Sequence, residues 1–199
     1  MNVLLVGPPG SGKGTQGERL ARCLGLEHIA AGDLLRAEVQ ASTPLGEKVQ
    51  DYLRRGELVP DELVIDMLMP RVTRAAHSGG YLLDGFPRSV GQAREAKRLA
   101  EQNGFSADCV IYLDAPRDEL VSRILARAET EGRSDDTPEV IRHRLAVFDE
   151  ATAPLCEYYS QRGLLRVVDA NRSADDVTRA ILAELGVDPA ETCPDLELA

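Results

Sequence analysis

The 199 residues are about the size of one domain, and 43% of them are apolar, enough to bury a sizeable core. The formal net charge of −10 argues against a general surface for nucleic acid or anionic membranes, because both are polyanions. No apolar run approaches the roughly 18 residues of a membrane span, and no secretory leader pattern follows Met1, so we expect a cytoplasmic protein.

Short apolar runs rich in Val, Ile and Leu alternate along the chain with longer segments of helical spacing. The runs predict buried strands at residues 3–6, 28–31, 81–83, 110–113 and 165–168. The intervening segments predict helices at residues 13–24, 33–40, 45–54, 61–75, 90–101, 118–128, 138–161 and 174–185. Because such alternation requires crossover connections, we expect an α/β fold: a five-stranded parallel sheet with helices on both faces. Ligands should then bind at the carboxyl ends of the strands.

The chain ends in an acidic segment. Residues 1–186 are expected to form a single domain, and residues 187–199 an acidic tail that Pro189 and Pro194 interrupt. We expect this tail to pack loosely or not at all.

The segment directly after the first strand, GPPGSGKGT at residues 7–15, has the spacing of a phosphate-binding P-loop. The glycines allow successive N–H groups to point inward, and the following helix adds its positive end. Lys13 adds a full charge, which a merely structural Gly-rich turn has no reason to carry at this offset. Gly14 stands where a Ser or Thr usually binds Mg²⁺, with Thr15 next, so we expect a less direct hold on the metal.

The segment LLDGFPR at residues 82–88 follows the third predicted strand. It places Asp84 at a carboxyl end, in position to orient Mg²⁺ or its water shell, and Arg88 within reach of phosphates. The alternative is a turn cap and a solvated surface charge. The neighbouring P-loop favours the functional interpretation.

Several arginines cluster in the last third of the chain. Arg123 and Arg127 share one helical face, GRSDD presents Arg133, and Arg144 follows one helical stretch later. Guanidinium groups in this number suit the crowding of two phosphate chains, but surface salt bridges would explain them equally well. Taken alone, the arginines leave both interpretations open.

The cysteines and histidines give no metal signal. Cys23, Cys109, Cys156 and Cys193 lie far apart with no CxxC pair, and we expect all of them to be packing residues. The histidines are equally scattered, and none lies at metal-ligand spacing from another His or Cys.

Six segments in the same order and spacing resemble the adenylate kinase family over nearly the whole chain: GPPGSGKGT, AGDLLR, GELVPDELVIDML, LLDGFPRSVGQA, GRSDDTPEVIRHRL and VVDANRS. The resemblance implies the P-loop nucleoside monophosphate kinase fold, with a clamp over the monophosphate at about 30–59 and a short lid at about 127–137. A lid this short lacks the four-cysteine zinc site of some longer relatives, so no structural zinc is expected. The family also implies a monomer.

The resemblance further implies reversible, Mg²⁺-dependent transfer of the ATP γ-phosphoryl group to AMP, giving two ADP. It assigns ATP to Gly10, Ser11, Gly12, Lys13, Gly14, Thr15, Arg123, Arg127 and Arg172, the last mainly through its backbone beside the adenine. It assigns AMP to Ala31, Arg36, Glu57, Leu58, Val59, Gly85, Arg88, Gln92, Arg133 and Arg144. Catalysis is assigned to Lys13, Arg88, Arg127, Arg133 and Arg144, and Asp84 is expected to hold Mg²⁺ through water.

Two positions give opposite indications about the acceptor. Ala30 and Ala31 replace the Ser-Thr that adenylate kinases commonly carry before the clamp arginine, which is similar to the UMP/CMP kinases. Gln92 instead matches the adenine-reading glutamine of adenylate kinases, and its amide can donate and accept along one base edge at once. AMP is therefore the expected acceptor, with a UMP/CMP kinase as the alternative and a P-loop regulatory ATPase as a more distant one.

Overall fold

In this computed structural model the backbone is described at residues 1–131 and 137–193, and the side chains at residues 1–128 and 137–193. The strands are β1 (Asn2–Val6), β2 (Glu27–Ala30), β3 (Tyr81–Asp84), β4 (Cys109–Asp114) and β5 (Leu165–Asp169). The helices are α1 (Lys13–Leu24), α2 (Ala31–Gln40), α3 (Pro44–Arg55), α4 (Asp61–His77), α5 (Val90–Gln102), α6 (Arg117–Glu131), α7 (Pro138–Val147), α8 (Pro154–Ser160), α9 (Ala174–Glu184) and α10 (Pro189–Thr192). None of the helices in these described ranges has the length and apolarity to cross a bilayer.

The strands form one parallel sheet in the order β2-β3-β1-β4-β5, which confirms the predicted five-stranded parallel sheet. In the central strand β1, Leu5 is in register with Asp84 of β3 and with Ile111 of β4. The carboxyl ends of β1 and β3 therefore lie side by side. This places the loop after β1, which carries the P-loop motif, against the loop after β3, which carries Arg88.

Alternate residues of β1 supply the two halves of the core. Leu4 and Val6 point to the side covered by α2 to α5 and α8, and Val3 and Leu5 to the side covered by α1 and α9. Val3 and Leu5 are fully buried. Because side chains alternate across a strand, a short apolar run buried on both faces is what a central parallel strand requires.

The predicted helix at residues 138–161 is wrong as a single element. It is divided into α7 and α8 by a π-helical turn, Phe148–Thr152. Pro154, the first residue of α8, has no backbone N–H to donate, so the regular hydrogen-bond ladder cannot run through it. The break brings Phe148 and Thr152 to the cleft described below.

The prediction for two of the cysteines is also corrected. Cys23 of α1 and Cys193 form a disulfide pair with Cα atoms 5.1 Å apart, so they are not merely packing residues. Within the described part of the tail, Cys193 is 6% exposed and Val187 packs against the same core cluster, whereas Asp188, Ala190 and Glu191 are exposed. Cys109 and Cys156 are free thiols, as expected.

Candidate active site

The P-loop forms a backbone cradle at the start of α1. Gly10 and Gly12 adopt φ values of 84° and 89°, a left-handed conformation that side chains with a Cβ rarely tolerate. A Cβ on Gly10 would lie 2.6 Å from the carbonyl oxygen of Leu120, so only glycine fits there. No side chain caps α1, and its first N–H groups are directed to the cleft together with the positive end of the helix. The cradle therefore offers the backbone donors that an anion needs.

Two polar side chains of this loop have hydrogen bonds that a phosphate could replace or complete. Lys13 folds back to donate to the carbonyl oxygens of Gly7 at 2.8 Å and Pro8 at 2.9 Å. Ser11 is 2% exposed, and its Oγ has no hydrogen-bond partner among the described residues. A buried hydroxyl without a partner is costly, and a phosphate oxygen would supply the missing acceptor.

The loop after β3 places a carboxylate and a guanidinium opposite this cradle. Asp84 ends β3 and is 9% exposed, and its burial raises the pKa of the carboxyl group while the charge of Lys13 opposes that rise. Arg88 is held in the cleft because its Nε donates to the Gly85 carbonyl oxygen at 2.8 Å. Its backbone carbonyl in turn accepts from the Thr152 hydroxyl at 2.8 Å.

Cations crowd around one cleft of about 590 Å³, a volume typical of small-molecule sites. Desolvation and the neighbouring charges of Arg88, Arg144 and Arg127 lower the pKa of Lys13 to about 8. Desolvation and the charges of Arg144 and Arg36 lower the pKa of Arg88 to about 10. The like charges add to the effect of burial, and Lys13, Arg36, Arg88, Arg127 and Arg144 all line this cleft.

The remaining predicted residues divide into those at the cleft and those away from it. The cleft is lined by Gly10, Gly12, Lys13, Gly14, Thr15, Arg36, Glu57, Leu58, Asp84, Gly85, Arg88, Arg123, Arg127 and Arg144. Ala31 and Val59 instead pack in the core, at 2% and 6% exposed. Arg172 is exposed and pairs with Asp169 at 2.9 Å, away from the lining. Arg133 lies outside the described residues, together with the rest of residues 132–136 of the lid predicted at 127–137.

Gln92 is one of the predicted residues that does not line the cleft in this structure. It is 2% exposed, and both ends of its amide are bonded within the protein. Its Nε2 donates to Asp61 Oδ1 at 2.7 Å, and its Oε1 accepts from the Arg88 backbone N–H at 2.7 Å. Its predicted contact with the acceptor base stays a prediction.

Three residues with a place in the site had not been singled out. Asp33 forms an ion pair with Arg36 three residues later on α2, and the spacing in AGDLLR is the signal that points to it. Thr152 and Asp61 hold Arg88 and Gln92 respectively. No local pattern marks these two, because each partner lies far away in the sequence.

The donor set suits a nucleotide-bound magnesium ion rather than a metal held by protein alone. Among residues 1–128 and 137–193, whose side chains are described, no group of three or more His, Cys, Asp or Glu residues lies close enough to hold a metal. Mg²⁺ keeps several waters and usually takes one or two carboxylates together with substrate phosphates. Asp84, beside the P-loop, is a carboxylate of that kind, and Thr15 is an exposed hydroxyl on the cleft wall.

A cradle for one polyphosphate that faces a cationic wall for a second phosphate is the arrangement of a P-loop nucleoside monophosphate kinase, and this class of phosphotransferase is what the fold and the site define. A family model described as "Adenylate kinase" matches residues 5–164. Among curated proteins, the chain is 48% identical over 183 residues to the adenylate kinase of Kocuria rhizophila, covering 92% of this chain and 97% of that one. It is 47% identical over 186 residues to the adenylate kinase of Xanthomonas campestris pv. campestris, covering 94% of this chain and all of that one. The chain therefore belongs to the adenylate kinase family.

Proposed function

We propose that this enzyme transfers the γ-phosphoryl group of ATP to AMP, giving two ADP, in a reversible reaction. The observation that carries the proposal is the convergence of Lys13, Arg88 and Arg144 on one cleft in a chain whose net charge is −10. Their mutual repulsion is unfavourable in the free enzyme. Two phosphate chains laid end to end would relieve it.

The donor side follows from the P-loop. The N–H groups of residues 10–15 and the unpartnered Ser11 hydroxyl would bind the ATP phosphates, and Lys13 would exchange its two loop carbonyls for phosphate oxygens. Arg123 is already fixed, since its guanidinium bonds Glu119 at 2.7 Å and the Ala170 carbonyl at 2.9 Å. It would meet ATP as a rigid part of the cleft wall.

The acceptor side is built by the clamp predicted at 30–59 and by the loop after β3. Arg36, Glu57 and Leu58 line the cleft from the clamp, and Arg88 lines it from the loop. In the free protein Arg36 pairs with Asp33, so an acceptor phosphate would compete with that carboxylate for the guanidinium.

The chemistry requires no general base. The acceptor is already an anionic phosphate oxygen, and positioning and charge stabilisation are sufficient for such a transfer. Lys13, Arg88, Arg127, Arg144 and Arg133 would neutralise the charge on the transferring group. Asp84 would hold nucleotide-bound Mg²⁺ through water, and the ion would draw charge from the phosphate oxygens. Because water is a competing acceptor, we propose that the clamp and the lid at 127–137 close before transfer.

An acceptor panel tests the proposal. Production of ADP from ATP is measured with AMP, dAMP, CMP or UMP as acceptor, and without an acceptor. We expect AMP and dAMP to give the highest kcat/KM, and little ATP to be consumed without them. A preference for CMP or UMP would identify a pyrimidine kinase, and hydrolysis that no monophosphate stimulates would identify a regulatory ATPase. The cytoplasmic location and the monomeric state stay predictions from the sequence.

A further inference from the structure

The amide of Gln92 is held at both ends by partners of opposite kind. Asp61, the first residue of α4, accepts from Nε2 at 2.7 Å. The Arg88 backbone N–H donates to Oε1 at 2.7 Å. A primary amide has two N–H donors and two acceptor lone pairs, so these contacts leave one donor and one lone pair for a ligand.

These two partners determine which way the amide points. A backbone N–H can only donate, and an ionised carboxylate can only accept. A half-turn of the amide would set its NH₂ group against the Arg88 N–H and its oxygen against the Asp61 carboxylate. Both contacts would become repulsive, and Gln92, at 2% exposed, has almost no water of its own to replace them, although Asp61 is exposed.

We propose that Asp61 is a specificity-determining positioning residue, which locks the Gln92 amide in the orientation that reads an amino group beside a ring-nitrogen acceptor. The inference rests on the proposed function, because that proposal directs the acceptor base to Gln92. The remaining lone pair accepts from the adenine amino group, and the remaining N–H donates to the neighbouring ring nitrogen.

The lock has a definite chemical consequence for other bases. In IMP, the edge is reversed, because a carbonyl oxygen replaces the amino group and the neighbouring ring nitrogen carries a hydrogen. IMP would need the flipped amide, which Asp61 and the Arg88 N–H both oppose. UMP presents the same reversed edge. Cytosine carries an amino group beside a ring-nitrogen acceptor, as adenine does. The orientation of the Gln92 amide therefore does not separate CMP from AMP, and the size of the base must do so.

The test replaces Asp61 with a side chain of the same shape that can donate as well as accept. Asp61→Asn supports either orientation of the Gln92 amide, so one of the two repulsive contacts with IMP disappears. The matched control is Glu62→Gln, which removes the same charge from the next, exposed residue of the same helix turn. The measurement is kcat/KM for AMP and for IMP with the wild type and both variants.

We expect the wild type to prefer AMP over IMP by on the order of 10⁴, as sites built to hydrogen-bond a substrate group do. Asp61→Asn should raise kcat/KM for IMP by about tenfold and so lower the ratio of AMP to IMP. Glu62→Gln should leave the AMP to IMP ratio unchanged. A gain of activity with IMP cannot come from a loss of folding.

An unchanged ratio in Asp61→Asn would overturn the inference, as would an equal change in Glu62→Gln, which would attribute the effect to charge. If Asp61→Asn does not fold, Asp61→Ala serves instead, because it also removes the carboxylate that opposes the flip and should shift the ratio in the same direction. If the wild type phosphorylates AMP and neither variant changes the ratio, only this inference fails. If the wild type does not phosphorylate AMP, both the proposed function and this inference are wrong.

Discussion

Replacing Arg88 with alanine separates the contribution of this residue to catalysis from its contribution to folding. The guanidinium is charged in both the folded and the unfolded chain at neutral pH. Burial and the neighbouring charges lower its pKa from the ordinary arginine value to about 10, so the charged form is disfavoured in the free folded enzyme at every pH below about 10. The charge of Arg88 is therefore a cost to the free enzyme that a bound phosphate would offset.

The sizes of the opposing effects can be compared. The lowering to about 10 corresponds to about 3 kcal/mol at roughly 1.4 kcal/mol per pKa unit. The substitution also removes the hydrogen bond to the Gly85 carbonyl oxygen, worth about 1 kcal/mol. Burial of the aliphatic stem is worth about 1 kcal/mol more. The free Arg88→Ala variant should therefore be about 1 kcal/mol more stable than the wild type, which raises Tm by about 2–4 °C for a chain of this length.

The assay combines thermal unfolding with turnover. We expect Arg88→Ala to lower kcat by about 10³ or more, since arginines that stabilise a transferring phosphoryl group contribute on this scale. The control is Arg98→Ala, which removes an exposed arginine that pairs with Glu95 and should leave turnover normal. Turnover by Arg88→Ala within about tenfold of the wild type would refute the catalytic assignment. A large loss of stability in the free variant would refute the electrostatic reasoning.

Four further expectations concern the cradle and its surroundings. The pKa of Lys13 is lowered to about 8 in the free enzyme, and a bound phosphate favours the charged form, so ATP binding above pH 8 should take up protons. Calorimetry in buffers of different ionisation enthalpy measures this uptake, and its absence would contradict the prediction. The same lowered pKa means that the stability of the free enzyme should gain a contribution from Lys13 as pH rises from about 8 towards 10.5, which urea unfolding at several pH values would detect or exclude. Gly10→Ala and Gly12→Ala should both cost about 1–3 kcal/mol of stability through backbone strain. Gly10→Ala should cost more, because only the Cβ at position 10 would lie 2.6 Å from the Leu120 carbonyl oxygen. Equal losses of stability in the two variants would contradict this prediction. Thr152→Val should lower the free energy of unfolding by about 1 kcal/mol, because it removes the hydrogen bond to the Arg88 backbone carbonyl. It should also lower kcat more than it changes the KM for ATP. An unaltered kcat would show that Thr152 does not position Arg88 for catalysis.

The parts of the site that are local in sequence could be predicted from it. The P-loop is one continuous segment whose glycines and lysine have fixed roles, and Arg88 follows a strand whose position an apolar run reveals. Once β1 and β3 are recognised as buried parallel strands, their carboxyl ends must meet at one edge of the sheet. The convergence of Lys13, Asp84 and Arg88 on one cleft follows from these rules alone.

The contacts that join distant segments could not be predicted. The Asp61–Gln92 bond spans 31 residues and the Cys23–Cys193 pair spans 170, and neither leaves a pattern in the local sequence. The break before α8 was missed because helical periodicity continues across it, although Pro154 carried the signal. The place of Ala31 in the motif predicts a contact with the acceptor; its side chain packs in the core, and the contact stays a prediction.

Binding of a bisubstrate dinucleotide, in which one polyphosphate chain joins two adenosines, tests most directly whether two phosphate chains meet end to end in this cleft. The account predicts that one molecule binds per enzyme, more tightly than either ATP or AMP, and competes with both. It also predicts that Lys13→Met and Arg88→Ala each weaken this binding, although the two residues follow different strands. Competition with ATP alone, or binding that is insensitive to Arg88→Ala, would contradict the account.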